Sequence, residues 1–233
     1  MLTRSGLAPV ALAALLAASA PAELFIVDTE PGTFIDISES GTGLGISGDE
    51  ETPINTPISN AVFPGGEVWV GNNGALGFGE LPDTNLPAVN EPISNNAAFG
   101  GGQALCGFWD DIDNTYGDIY YENREDVLIV QWNQKQFADS TDTVTFQLQI
   151  FADGRGSNPI YAQMIYADVE QPRADGGGSA TIGYQDGAAG FNSVQWSFNT
   201  SGAVSNGTVL SLIPEPASLL LVIIGGLAGG RRH

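Results

Sequence analysis

Apolar and polar residues alternate with a period of two along much of this chain, the spacing that sends successive side chains to opposite faces of a β-strand. The clearest run is Thr143 to Phe151, where Val144, Phe146, Leu148 and Ile150 point one way and Thr145, Gln147 and Gln149 the other. Asp153-Gly154 predicts a turn after it, and Ile160 to Tyr166 alternates again as its partner. Val127-Leu128-Ile129-Val130 is apolar without alternation before Gln131-Trp132-Asn133, which predicts a central strand covered on both faces at one end. Further strands are expected at Glu67 to Val70, Ala75 to Phe78, Asp118 to Glu122, Ala180 to Tyr184, Val194 to Phe198 and Thr208 to Ile213, with Asn72-Asn73-Gly74 turning the chain between the first two. No amphipathic helical stretch of useful length interrupts them, and the 31 glycines, with Asn, Asp, Ser and Pro, supply the turns. The expected fold class is all-β, a β-sandwich of many short antiparallel strands, with no second domain and no internal repeat.

Both ends of the chain break this pattern. At the start, Arg4 precedes a compact apolar run from Leu7 to Ala18, and Ala20-Pro21-Ala22 has the small-x-small form of a signal peptidase site. Residues 1–22 are therefore expected to be a signal peptide, with Glu23 the first mature residue. At the finish stand Pro214-Glu215-Pro216, an uncharged run from Ala217 to Gly230, and then Arg231 and Arg232. Each proline pushes its predecessor out of helical angles, so Ile213 and Glu215 are expected to be extended and open to a protease cleft. The apolar run, centred on Leu219 to Leu227, supplies a membrane helix. The arginine pair resists translocation and fixes its topology.

In that order and place, the tail 213–233 resembles a PEP-CTERM sorting signal of exopolysaccharide-producing Gram-negative bacteria. The resemblance implies an inner-membrane intermediate that an exosortase cuts near Pro214-Glu215-Pro216, sending the protein to the cell surface or the extracellular matrix. A plain C-terminal anchor is the alternative, and it calls for a longer apolar run.

The segment between, 23–212, has the size of one domain able to bury a core. Setting aside Glu215, Arg4, Arg231 and Arg232 leaves 26 acidic against four basic residues, a net charge near −22. A field of that sign repels nucleic acid and anionic lipid and favours divalent cations. Cys106 is the only cysteine, so no internal disulfide forms, and its apolar setting predicts a buried, inert thiol. His233 is the only histidine and lies in the tail. A body without histidine holds no Ser-His-Asp or Cys-His catalytic set and no His-ligated zinc. Gly41-x-Gly43-x-Gly45 and Gly176-Gly177-Gly178 open no helix, so they read as turns rather than phosphate loops.

One acidic constellation remains: Asp110, Asp111, Asp113 and Asp118, with Glu122 nearby. Carboxylates so close face water, share protons or hold a hard cation such as Ca²⁺. The spacing is not that of an EF-hand, because Tyr116 stands where such a loop, begun at Asp111, needs glycine. The same acids could form a glycosidase pair. Trp69, Trp109, Trp132 and Trp196, with Tyr116, Tyr120 and Tyr121, are the aromatic candidates for stacking sugars, although in a sandwich most of the four tryptophans are expected to be core.

The body carries a resemblance of its own. Its fragments run in the order Phe34-Ile35-Asp36-Ile37, Val70-Gly71-Asn72-Asn73-Gly74-Ala75-Leu76-Gly77-Phe78-Gly79, Gly107-Phe108-Trp109-Asp110-Asp111-Ile112-Asp113, Ile119-Tyr120-Tyr121, Ile129-Val130-Gln131-Trp132 and Ala180-Thr181-Ile182-Gly183. Together they are similar to a β-rich extracellular module of secreted bacterial proteins, the nidogen-type (NIDO) domain. That resemblance implies adhesion or matrix assembly and brings no catalytic residues. The expectation is a secreted, non-enzymatic surface or exopolysaccharide-matrix protein whose processing partners are signal peptidase and exosortase. The alternatives are a carbohydrate-binding module, with Ca²⁺ bridging it to anionic polysaccharide, and a glycoside hydrolase.

Overall fold

Alternation becomes strand pairing in two sheets. The computed structural model describes residues 23–46, 48–79, 86–93, 99–112, 116–152, 159–187 and 191–215, and every regular element among them is a β-strand. In chain order these are β1 (Leu24–Val27), β2 (Thr42–Gly43), β3 (Glu51–Thr56), β4 (Gly66–Gly71), β5 (Ala75–Phe78), β6 (Gln103–Trp109), β7 (Asp118–Asn123), β8 (Val127–Gln136), β9 (Thr143–Phe151), β10 (Ala162–Asp168), β11 (Thr181–Gln185), β12 (Val194–Phe198) and β13 (Val209–Pro214). One sheet has the order β1-β13-β10-β9-β8-β7-β2 and the other β12-β11-β6-β5-β4-β3. Neighbouring strands pair antiparallel throughout. The expected signal peptide, the membrane helix and the Asp153-Gly154 turn lie outside the described residues.

Between the sheets lies one apolar core. Leu128, Val130 and Trp132 of β8, Phe146 and Leu148 of β9 and Met164 of β10 meet Val68, Val70, Leu76, Leu105 and Ile182 from the other sheet. Trp132 and Phe146 are cross-strand partners, stacked with centroids 4.8 Å apart at 8°. At Gly107 the sheets approach closely: a Cβ there would stand 2.7 Å from Leu148 and 2.8 Å from Phe146. Tyr166 also reaches this point, its Oη donating to the Gly107 carbonyl at 2.7 Å.

The outer faces are covered as well. Over the seven-stranded sheet lies the extended segment 31–37, and glutamines on the polar face of β8, β9 and β10 hold it. Gln163 Nε2 donates to the Pro31 carbonyl at 3.0 Å and Gln149 Nε2 to the Thr33 carbonyl at 3.0 Å. Gln147 takes Ile35 at both ends, accepting its N–H at 3.1 Å and donating to its carbonyl. Gln131 accepts the Ile37 N–H at 2.8 Å and donates to Asp36 at 2.9 Å. Alternate backbone positions of the strap thus meet alternate side chains of the sheet, and the amides act in place of a neighbouring strand. Beside this ladder Ile37 packs on Val127, Ile129 and Phe151, which is why Val127–Val130 is apolar on both faces, as its sequence predicted.

Gln147 is fully buried. Gln147→Leu keeps its bulk but orphans both polar groups of Ile35, so a loss of about 2–4 kcal/mol is expected in urea melts. A loss below about 1 kcal/mol would mean that the strap is held by its apolar contacts alone.

Over the six-stranded sheet, Leu86, Phe99 and Ile93 cover Ala75, Ala104, Cys106 and Trp109, and Trp109 Nε1 donates to the Pro87 carbonyl at 2.6 Å. Cys106 is completely buried there, and burial pushes its thiol far above the ordinary range. The inert-thiol expectation agrees with this.

Strands not anticipated from the pattern are β1, β2, β3 and β6. Strand β3 is an edge containing Pro53, a residue that edges tolerate. Strand β6 is buried at every position and carries a bulge, because the N–H groups of Gly107 and Phe108 both donate to the Gly74 carbonyl, at 3.1 and 3.2 Å. The bulge breaks its alternation, sending Phe108 to the core and Trp109 to the outer layer.

Candidate functional site

Asp110 and Asp111 of the acidic constellation follow the end of β6, and the Asn72-Asn73-Gly74 turn holds the backbone there. Both asparagines are fully buried. Asn73 Oδ1 accepts the Ile112 N–H at 3.1 Å and the Asn73 carbonyl accepts the Asp110 N–H at 3.2 Å, while Asn72 Nδ2 donates to the carbonyls of Gly48 and Ile112. A hairpin turn thereby doubles as a clamp on the acidic loop.

Asp110 is only 4% exposed and its carboxylate is fully engaged. Arg173 Nη1 and Nη2 donate to it at 2.9 and 3.2 Å, Ser179 Oγ at 2.5 Å and the Asp111 N–H at 2.9 Å. Arg173 also donates to Asp139 at 2.7 Å and lies 4.5 Å from the centre of the Phe137 ring. Asp118 is occupied differently, its Oδ1 accepting the N–H groups of Gly45 and Ile119 at 3.0 and 2.7 Å. Glu122 takes Arg124 at 2.9 Å and Ser40 at 3.0 Å, and the bond from Arg124 holds its carboxyl below the ordinary value. Asp113 lies outside the described residues. Among the described residues no three His, Cys, Asp or Glu side chains converge on a common metal position. The calcium expectation therefore has no assembled ligand set in that part of the chain.

Asp111 is the member under strain. Burial raises its carboxyl above the ordinary value, and Asp49, Asp110 and Asp139 raise it further against a smaller opposing pull from Arg173. A carboxyl raised on folding supports the fold while protonated, and that support is lost as pH rises through the folded value. Asp111→Asn is therefore expected to match wild type in urea melts at about pH 3 and to be the more stable protein at about pH 7. A variant less stable than wild type at the higher pH would show that the charge of Asp111 is used.

The aromatic candidates divide. Trp109 and Trp132 are fully buried and Trp69 and Trp196 half-buried, with Trp196 Nε1 donating to the Ala203 carbonyl at 3.0 Å. Two of four are core where most were expected to be. Tyr120 and Tyr121 are half-buried, and Tyr116 is 56% exposed.

At the opposite end of the sequence, Pro214 is part of β13, paired with Leu24 of β1. Ile213 is extended within β13, as the proline after it predicts. Ile213 is not open, however: it pairs with Phe25 and is 6% exposed. Glu215 has an exposed side chain, but its N–H donates to the Glu23 carbonyl at 2.8 Å. Pro214 fits here because the ladder bond on this edge falls to Glu215, and no N–H is asked of the proline. Ala20, Ala22, Pro216, Arg231 and Arg232 lie outside the described residues.

A family model described as NIDO related matches residues 25–219. The chain belongs to the NIDO-related family. The matched stretch begins inside β1 and runs past the end of β13, so the NIDO-related segment takes in both sheets and the strap 31–37. No curated protein and no solved structure matches the chain. Two features of this NIDO-related protein escaped the sequence reading. Arg173 is one of four basic residues in a strongly acidic body, which was itself a signal for a structural ion pair. Gln131, Gln147, Gln149 and Gln163 recur on the polar face of neighbouring strands, a regularity that solvent exposure alone does not require.

Proposed function

We propose that this NIDO-related protein is a secreted, non-enzymatic surface or matrix module, delivered through a C-terminal PEP-CTERM signal that an exosortase cleaves. The observation that carries the reading is the order at the tail: Pro214-Glu215-Pro216, an uncharged run to Gly230, then Arg231 and Arg232. The geometry of the body is compatible with it, because the last strand of the sandwich ends at Pro214, where the sorting motif begins. Signal peptidase acts at the other end, after Ala22, and the inner membrane holds the intermediate only until the tail is cut. The binding partner at the destination is exopolysaccharide or another matrix component, and the net charge near −22 disfavours nucleic acid. The absence of histidine upstream of His233 supports the non-enzymatic part of the reading. Of the acids that a glycosidase would use, Asp110 is held by Arg173 and Glu122 by Arg124.

The test is C-terminal mass mapping, with fractionation, of the protein from an exosortase-bearing host and from the same host lacking that enzyme. A chain ending near Pro214 to Pro216 only when the enzyme is present supports the proposal. An intact tail ending at His233 in both hosts overturns it in favour of a plain anchor.

A further inference from the structure

Strand β1 covers the bonds that lead into the Pro214-Glu215-Pro216 motif. A protease binds its substrate as an extended strand and needs the backbone N–H and C=O groups free to pair with its cleft. Along β13 those groups are engaged on two edges. On one side β10 pairs with Val209 to Leu212, ending with the Tyr161 N–H to the Leu212 carbonyl at 3.0 Å. On the other side β1 pairs with Ser211 to Pro214 and continues to Glu215 through the Glu23 carbonyl. Beyond Leu212, β1 is the one strand among the described residues paired with this segment, so the Ile213–Pro214 and Pro214–Glu215 bonds depend on it for cover.

The structure also fixes what holds β1 in place. Leu24 is 1% exposed and reaches the core between the sheets. Its N–H donates to Asn192 Oδ1 at 2.6 Å and its carbonyl accepts from Asn192 Nδ2 at 3.1 Å. One exposed asparagine beside β12 therefore satisfies the outward edge of β1 at the residue facing Pro214. The clasp closes only once Glu23 and Leu24 are in place, which ties the two ends of the domain together.

We propose that β1, positioned by Asn192 and Leu24, sets how far C-terminal processing reaches into this chain, so that in the folded protein the cut falls at or after the carbonyl of Glu215. The proposal rests on the sorting reading for its biological meaning, but the clasp can be tested without an exosortase. Full-length protein in detergent is digested with a proline-specific endoprotease and the fragments are mass-mapped. Cleavage after Pro216 and protection after Pro214 are expected in wild type. In Asn192→Ala, cleavage after Pro214 should rise about tenfold, because two bonds that anchor the strand are gone.

Equal rates after Pro214 and Pro216 in wild type, or no change in Asn192→Ala, would overturn the proposal. Leu24→Ala is the stronger variant, and Asn192→Ala, at an exposed position, keeps the test decisive if Leu24→Ala does not fold. In the exosortase-bearing host, a wild-type end at Glu215 or beyond that moves inward in Asn192→Ala supports the proposal, and a wild-type end upstream of Glu215 defeats it. A tail retained in both hosts defeats the sorting reading, while the digestion still decides the clasp.

Discussion

Replacing Gly74 by alanine should leave little soluble, folded protein. Gly74 has φ +84, and a Cβ built on it would stand 2.1 Å from the Phe108 carbonyl oxygen and 2.7 Å from its carbon. Those are backbone atoms of a buried strand and cannot swing aside. The turn would have to lift from β6, breaking the bonds that its own carbonyl accepts from Gly107 and Phe108 and loosening the grip of Asn73 on Asp110 and Ile112. Left-handed strain alone costs about 1–2 kcal/mol, and the forced separation should take the loss past about 4 kcal/mol, a large share of a domain's stability.

Gly79 is the control. It has φ +77 with nothing within 4 Å of the built Cβ, so Gly79→Ala should cost about 1 kcal/mol. Soluble yield and urea midpoints of the two variants check this. Similar midpoints would mean that the turn does not clamp the acidic loop.

Asp110→Ala should be nearly as damaging, for an electrostatic reason. It removes the acceptor of four hydrogen bonds and strands the guanidinium of Arg173, whose side chain is 21% exposed against 6% for Asp110. Removing one member of a buried pair costs about 3–5 kcal/mol, and the partial exposure of Arg173 and its bond to Asp139 place this case near the lower end. Adding Arg173→Met to Asp110→Ala should recover part of the loss, because the orphaned charge is gone while the packing on Phe137 is kept. Urea denaturation of the two single variants and the double variant measures the coupling. Strict additivity would show that the two side chains do not depend on each other.

The strands and the site were legible in the sequence to different degrees. Thr143–Phe151, Ala75–Phe78 and Val194–Phe198 were placed at their observed bounds, because undisturbed alternation or a firm turn signal marks each one. Strand β6 was not, because its bulge shifts the period and its small residues, Ala104, Cys106 and Gly107, serve close approach rather than alternation. The acidic loop stood out in the sequence, but the partners of its carboxylates could not be read from spacing. Asp110 is answered by an arginine 63 residues away, and no local pattern announces a partner at that distance.

By itself the sequence determined the fold class, the absence of histidine-based chemistry from the body, the sign of its field and the tripartite tail. These follow from composition and from periods of two, which a chain displays residue by residue. Tertiary structure decided the rest. It gave the glutamines a strap to hold 112 residues away at Ile35, turned an asparagine-glycine turn into a clamp, and closed the first strand over Pro214. Alternation fixes which face a side chain takes but not which segment lies against that face. That choice belongs to long-range packing, where buried polar groups must find partners wherever the chain brings them.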